Sequence, residues 1–409
     1  MRLWIKYLFG IVLGIAVALL LPTDAPAVSA SITTLQELFV RFGRYTLVPL
    51  LLFGVANAAY KLRSTKMIVR TGVWTAGVIV GSTLIVTLVG LASILLVVLP
   101  RIPITGEKVT DVASIDIRSL VMQLLPYSSF EAAAGGAFLL PVFLFAGLIG
   151  IGCATDETAS KPVIAFIQSA YRLFYSLMSF FVEWLSVGMI AVAAFWMMSA
   201  KPAFAAGTFL PLTIILLVDF VLIVCVLYPV LLWLVCKDHR PWHVLYASLC
   251  PVFAAFFGGD ANLALQVNWR HGRESLGVHS RVGGVTFPLF SVFGRGGAAL
   301  TCVICFVVVL RSYSPIGLKL FDVLWIFVMS FALSFALGGI PAGAPYVLLT
   351  VLCTAYSRGF DSSYLLLRSA APIFCSFAAA IDAASAVFGS YVVGVKTQRI
   401  EHIDVKHYL

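Results

Sequence analysis

Long apolar runs alternate with short polar connectors along the chain, and the lengths of the runs predict its elements. A helix needs about 20 apolar residues to cross the hydrocarbon of a bilayer. The first three runs cover about 3–21, 35–60 and 71–99. The polar stretch 100–117, with Pro100, Pro103 and Gly106, reads as a loop. Residues 118–153 are interrupted by Pro126, Gly135-Gly136 and Pro141, which predicts a kinked or divided fourth segment. A fifth run covers about 162–198, long enough to tilt or to start at the interface. A sixth covers about 209–235.

The pattern then changes. Residues 244–282 hold two short apolar stretches around the polar centre Gly258-Gly259-Asp260-Ala261-Asn262. Neither half is long enough to span alone, so a re-entrant helical hairpin is expected, with its tip inside the membrane. A seventh segment, about 283–310, is interrupted at Gly294-Arg295-Gly296-Gly297. Residues 318–356 again read as two half-length pieces, broken at Gly338-Gly339-Ile340-Pro341-Ala342-Gly343. A last span, about 364–396, carries Asp382, and a polar tail, 397–409, closes the chain. Two Gly/Pro-interrupted segments in corresponding positions point to a transporter site between inverted repeats.

Composition narrows the class. Of 409 residues 61% are hydrophobic and 11% charged, against about 25% charged in a soluble domain. Mean hydropathy is +1.04. The lipid bilayer is therefore the expected surrounding. The net charge of +9 comes from short Lys/Arg clusters between apolar runs, a topology signal rather than a nucleic-acid surface. With the N-terminus inside, the inner connectors hold about fifteen Lys/Arg and the outer ones about seven. The inner set includes Lys61, Arg70, Lys237, Arg240, Arg270, Arg281 and Lys396; the outer set is Arg101, Lys108, Arg118, Lys201, Arg311, Lys319 and Arg358. Both termini are expected on the cytoplasmic side of a bacterial-type inner membrane.

Arg2 and Lys6 precede the first apolar run, and small residues follow over 25–30, as in a signal peptide. The length of the run and the many later spans favour an uncleaved first helix. The eight cysteines lie in or beside apolar segments and read as packing residues. Cys302 and Cys305 have a CxxC spacing, but no second pair or His cluster completes a metal site. No nucleophile–base pair stands out, so neither an enzyme nor a cofactor is expected.

Several short motifs, in order, resemble one family. They are Leu47-Val48-Pro49-Leu50, the stretch from Pro126 to Phe130-Glu131-Ala132, Phe287-Pro288-Leu289 and Ile340-Pro341-Ala342-Gly343. Over about 1–396 the chain resembles the dicarboxylate/amino acid:cation symporters, the glutamate-transporter-like family. The resemblance implies an all-α membrane fold of eight helices and two opposed re-entrant hairpins, built on an inverted repeat. It also implies homotrimers. Residues 1–70 and 118–198 would form mainly the scaffold, and 71–117 and 199–396 mainly a transport domain that slides like an elevator. Family substrates are amino acids or dicarboxylates, coupled to sodium or protons.

The departures from the family fall on the chemistry. Its serine-rich first hairpin tip corresponds to Gly259-Asp260-Ala261-Asn262 here. Its Asn-Met-Asp-Gly-Thr break corresponds to Gly294-Arg295-Gly296-Gly297-Ala298, without the sodium-liganding Asn and Asp. Of the polar series in the last helix only Asp382, Ser385, Gly389 and Ser390 are found. A hard cation needs several oxygen ligands, so proton coupling or exchange becomes an alternative to sodium. Arg295 is expected to fill the space of a coupling cation, held by Asp260 or Asp382, or to clamp a substrate carboxylate.

The candidate substrate and ion site is thus Asp260, Asn262, Arg295, Gly339, Pro341, Gly343, Asp382 and Ser385. Each has a plainer reading. Asp382 serves amine binding or proton coupling, or is a structural partner of Arg295 or Arg368. Asp260 and Asn262 also suit a helix cap. The glycines over 338–343 also suit close helix packing. Glu131, Glu183 and Asp219 read as interfacial or trimer contacts, and Arg41, Arg44 and Arg172 as snorkelling charges. The six histidines lie in or beside cytoplasmic segments. The expected function is secondary transport of a small organic solute; a receptor that has lost transport, or an anion channel, is the alternative on the same fold.

Overall fold

A computed structural model describes residues 2–22, 25–97, 99–103, 122, 126–134, 138–238, 241–313, 319–356 and 360–409. Gly135-Gly136, most of the 100–117 loop and the charges Lys108, Arg118, His239, Arg240 and Arg358 lie outside the described residues.

The described chain is helical. Its first half runs α1 Leu3–Leu20, α2 Pro26–Arg44, α3 Leu47–Ser64, α4 Ile68–Leu96, α5 Ser129–Ala134, α6 Leu140–Cys153 and α7 Lys161–Ala206. The second half runs α8 Leu210–Cys236, α9 Trp242–Gly258, α10 Ala261–Glu274, α11 Ser280–Phe293 and α12 Gly296–Tyr313. There follow α13 Leu320–Ser334, which tightens into the 3-10 turn Phe335–Gly339, then α14 Ala344–Tyr356 and α15 Ala371–Lys396 behind the 3-10 turn Ser363–Ala370. Prolines 26, 141, 162, 211 and 372 sit in the first turns of their helices, where the missing N–H costs nothing. Among the described residues only two isolated β-bridges occur.

Among the described residues eight helical stretches are long and apolar enough to cross a membrane: Leu3–Leu20, Pro26–Ser64, Ile68–Leu96, Lys161–Ala206, Leu210–Cys236, Ser280–Tyr313, Leu320–Gly339 and Ser363–Lys396. This set differs from the expected runs in four places. The expected fourth segment, 118–153, supplies none of the eight, because its apolar helix α6, Leu140–Cys153, has only 14 residues. The second stretch begins at Pro26, because Ser31, Thr33 and Thr34 turn their hydroxyls back to the carbonyls of Ala27, Ser29 and Ala30 within the helix and so hide their polarity. The fifth run continues through Pro202 to Ala206. Leu320–Gly339 reaches spanning length where a half-length piece is expected.

Burial separates an interior from a periphery. In Ser280–Tyr313 and Ser363–Lys396, 94% and 83% of the apolar window is buried, against 28–50% in the other six. Residues Gly296 to Leu310 of α12 are buried on every face. Helices in lipid gain little from apolar burial and pack instead by close approach of small residues. Gly14 of α1 accordingly leaves room for Ala193 of α7, whose Cβ lies 2.9 Å from where a glycine side chain would begin. Gly150 of α6 sits in the same way on Ala56 and Ala59 of α3.

The polar tail does not hang free. Ile400 bridges Val278, the Glu401 N–H donates to the Gly277 carbonyl at 2.9 Å, and the His279 N–H donates to the Arg399 carbonyl at 3.1 Å. Tyr408 is buried behind this contact. All eight cysteines are free thiols.

Candidate functional site

Two turns and one helix break converge. The turn between α9 and α10 passes through Gly259, whose φ of 58° lies in the left-handed region that glycine enters without strain. Asp260 then caps α10: its Oδ1 accepts the N–H groups of Asn262 at 2.8 Å and Leu263 at 3.1 Å. The turn between α13 and α14 ends at Gly343, with φ 70°. The two turns are stitched together. Asp260 bridges Ala342, and the Ala261 N–H donates to the Pro341 carbonyl at 2.9 Å. Ser291, near the end of α11, donates its hydroxyl to the Ala261 carbonyl at 3.3 Å. Gly338 leaves space for Val292, so the second turn lies against α11 as well.

Arg295 stands in the break between α11 and α12 and is 4% exposed. Asp382 of α15 is its electrostatic neighbour. The Asp382 Oδ1 accepts the Gly297 N–H at 2.6 Å, at the unsatisfied start of α12. Among the described residues no hydrogen bond or ion pair reaches the Arg295 guanidinium, and its Nε is enclosed without a partner. Ser385, one turn along α15, bonds the Tyr228 hydroxyl of α8 and donates to the Ile381 carbonyl at 2.7 Å. Tyr228 follows the π-helical segment Leu222–Leu227 and stacks on Phe388.

The expected site residues thus fall into two linked clusters. Asp260, Asn262, Gly339, Pro341 and Gly343 form the joined turns; Arg295, Asp382 and Ser385 lie along the α11–α12 break and α15. The expected pairing of Arg295 with Asp260 does not form. Asp260 Oδ2 instead pairs with Arg44, at the last residue of α2, so Arg44 is engaged rather than snorkelling. Gly43 lets that helix end approach, because any side chain there would strike Leu263 of α10. Asp219 is not an outer interface residue either. It is 2% exposed and accepts from Ser93 Oγ at 2.7 Å. Glu183 pairs with Arg270 of α10 at 3.1 Å.

The sequence gives no warning of Arg44, Ser291 or Tyr228 in this region. Arg44 lies 216 residues before Asp260, and the proline after Tyr228 reads only as helix punctuation. Among the described residues no three of His, Cys, Asp or Glu converge as metal ligands. A cavity of about 520 Å³ lies under the tail, bordered by Asp238, His243, Tyr391 and His402 and by none of the expected site residues.

Broken helices meeting over buried charges belong to solute carriers as a class. The model of the sodium:dicarboxylate symporter family matches residues 3–395, nearly the whole chain. The chain belongs to this family. It is therefore a symporter-type, multi-pass membrane transporter, and the family is not one of enzymes. Among curated proteins none matches it.

Proposed function

We propose that this symporter-family protein moves a small carboxylate-bearing solute, an amino acid or a dicarboxylate, across a bacterial-type inner membrane. The observation that carries the reading is the buried Arg295 guanidinium, without a hydrogen-bond partner among the described residues and with Asp382 as its charged neighbour. A guanidinium out of water needs a matching anion, and a carboxylate fits it with two parallel hydrogen bonds. Asp382 and Ser385 flank it, with Asp382 suited to a substrate amine. Asp260, Asn262, Gly339, Pro341 and Gly343 close over the site as the tips of two opposed re-entrant hairpins.

In this reading 71–117 and 199–396 are mainly the moving transport domain and 1–70 with 118–198 mainly the scaffold. The deep burial of Ser280–Tyr313 and Ser363–Lys396 supports their place in the moving core. The protein works as a homotrimer with both termini in the cytoplasm, and the domain moves as an elevator. The family name specifies sodium; here a fixed guanidinium takes the place of cation ligands, which favours a proton or no ion as the coupling partner.

Uptake into proteoliposomes tests this. Labelled amino acids and dicarboxylates are offered under a sodium gradient, a proton gradient or none. The expected result is saturable uptake or exchange that does not need sodium. Uptake driven by sodium alone overturns the coupling assignment, and current without saturable exchange overturns the carrier in favour of a channel.

A further inference from the structure

We propose that Asp219 and Ser93 form a proton-binding site, separate from the substrate site, that couples transport to a proton gradient. The inference rests on the carrier reading above for its role, though not for the site itself.

Asp219 lies in Leu210–Cys236, nine residues from its start, or about 13 Å along the axis. An ionisable group at such depth is costly and marks an ion or proton path by default. Asp322 and Asp382, the other buried acids of the spans, are compensated. Asp322 caps α13 and accepts from Tyr356 at 3.0 Å, and Asp382 has the α12 start and Arg295. Among the described residues Asp219 has one neutral hydroxyl, that of Ser93. The helices packed on its half of α8 are α4 and α15. Their titratable or charged groups are Arg70 on α4, and Cys375, Asp382, Tyr391 and Lys396 on α15. Among the described residues none of these makes an ion pair or electrostatic contact with Asp219.

The geometry suits both charge states without moving a heavy atom. Ser93 Oγ lies 2.7 Å from Asp219 Oδ2 and 3.0 Å from the Gly90 carbonyl. A hydroxyl has one proton to donate. With Asp219 ionised, Ser93 donates to the carboxylate. With Asp219 protonated, the carboxyl O–H donates to Ser93 Oγ, and Ser93 rotates its proton to Gly90. The step is uptake of one proton from water onto one carboxylate oxygen and its later return to water; no other bond changes. Protonation removes the buried charge, so the neutral form is the one able to move through the hydrocarbon. The π-helical segment Leu222–Leu227 begins three residues on, and such segments recur where helices carry function.

Infrared difference spectra of the reconstituted protein, taken on acidification, test the site directly. The expected result is a protonated-carboxyl C=O band that disappears in Asp219→Asn and persists in Asp382→Asn. Ser93→Ala keeps the carboxyl and removes the donor to its ionised form, so the band's midpoint should rise by about 1 pH unit. A band unaffected by Asp219→Asn, or a midpoint unmoved by Ser93→Ala, overturns the site. Uptake of labelled succinate, aspartate and alanine tests the coupling. The ratio of proton-driven accumulation to counterflow should fall at least about tenfold in Asp219→Asn; an unchanged ratio overturns the role. If wild type takes up none of the three, the carrier reading loses its support and the coupling role falls with it, while the infrared result still decides the proton site.

Discussion

Arg44 and Asp260 form an ion pair that ties the end of α2 to the turn between α9 and α10. Asp260 does three things at once. It caps α10 through Oδ1, meets Arg44 through Oδ2, and bridges Ala342 of the other turn through its backbone. The Asp260 carboxylate therefore ties the turns that cover the proposed site to α2, as Ser291 ties them to α11.

These roles separate by substitution. Asp260→Asn keeps a side chain that caps a helix but loses the charge; Asp260→Ala loses both, and should cost about 1 kcal/mol more. Combining Arg44→Gln with Asp260→Asn should give a coupling energy of about 1–2 kcal/mol in a double-mutant cycle. Thermal unfolding in detergent measures it. A coupling near zero would mean that the pair contributes no more than a surface contact.

Arg295→Met leaves Asp382 facing an empty charge position, although Asp382 keeps the Gly297 N–H. Loss of charge-assisted hydrogen bonds to a substrate carboxylate costs about 1.5–3 kcal/mol, or about 10- to 100-fold in half-saturation. Uptake kinetics in proteoliposomes would register that rise. Wild-type affinity in the variant would exclude Arg295 from substrate binding.

Gly343 tests the second turn. Nothing lies within 4 Å of a Cβ added there, yet its φ is 70°. Gly343→Ala therefore probes backbone strain alone and should destabilise by about 1 kcal/mol. Increased protease access to the 338–343 turn would report its loosening.

His279 gives a pH signature at a connector. Its Nδ1 accepts the Arg281 N–H at 3.2 Å. Burial is the main cause that lowers its pKa, and Arg281, Lys61 and Arg399 act in the same direction. The unfolded chain then takes up the proton first, near the ordinary value of 6.5, so stability falls as the pH drops below it. The melting temperature of wild type should fall more between about pH 8 and about pH 5 than that of His279→Asn, which keeps the cap without the titration. Parallel pH dependence of the two proteins would assign the loss elsewhere.

Most of the spans and the three C-terminal Gly/Pro interruptions could be read from the sequence because each rests on local physics: the length of apolar runs, proline's missing donor, and glycine's access to left-handed backbone at Gly259 and Gly343. The expected span over 118–153 and the full length of Leu320–Gly339 could not. That Arg295 needs an acidic neighbour was also legible, since a buried charge in a span requires a partner, but the sequence left Asp260 and Asp382 as alternatives and the fold places Asp382 beside it. The partner of Asp260 was not, because Arg44 ends a helix that looks like any basic helix end, and only the fold brings the two together. The same holds for Ser93 with Asp219, 126 residues apart. No local pattern marks the π-helical segment, which shows only in the backbone.

The chain's last residues complete a contact begun much earlier. Ile400 and Glu401 lie against Val278 and Gly277, and the Leu409 N–H points to Ser275 Oγ at 3.5 Å. The connector between α10 and α11 is thus inserted well before its partner has been synthesised.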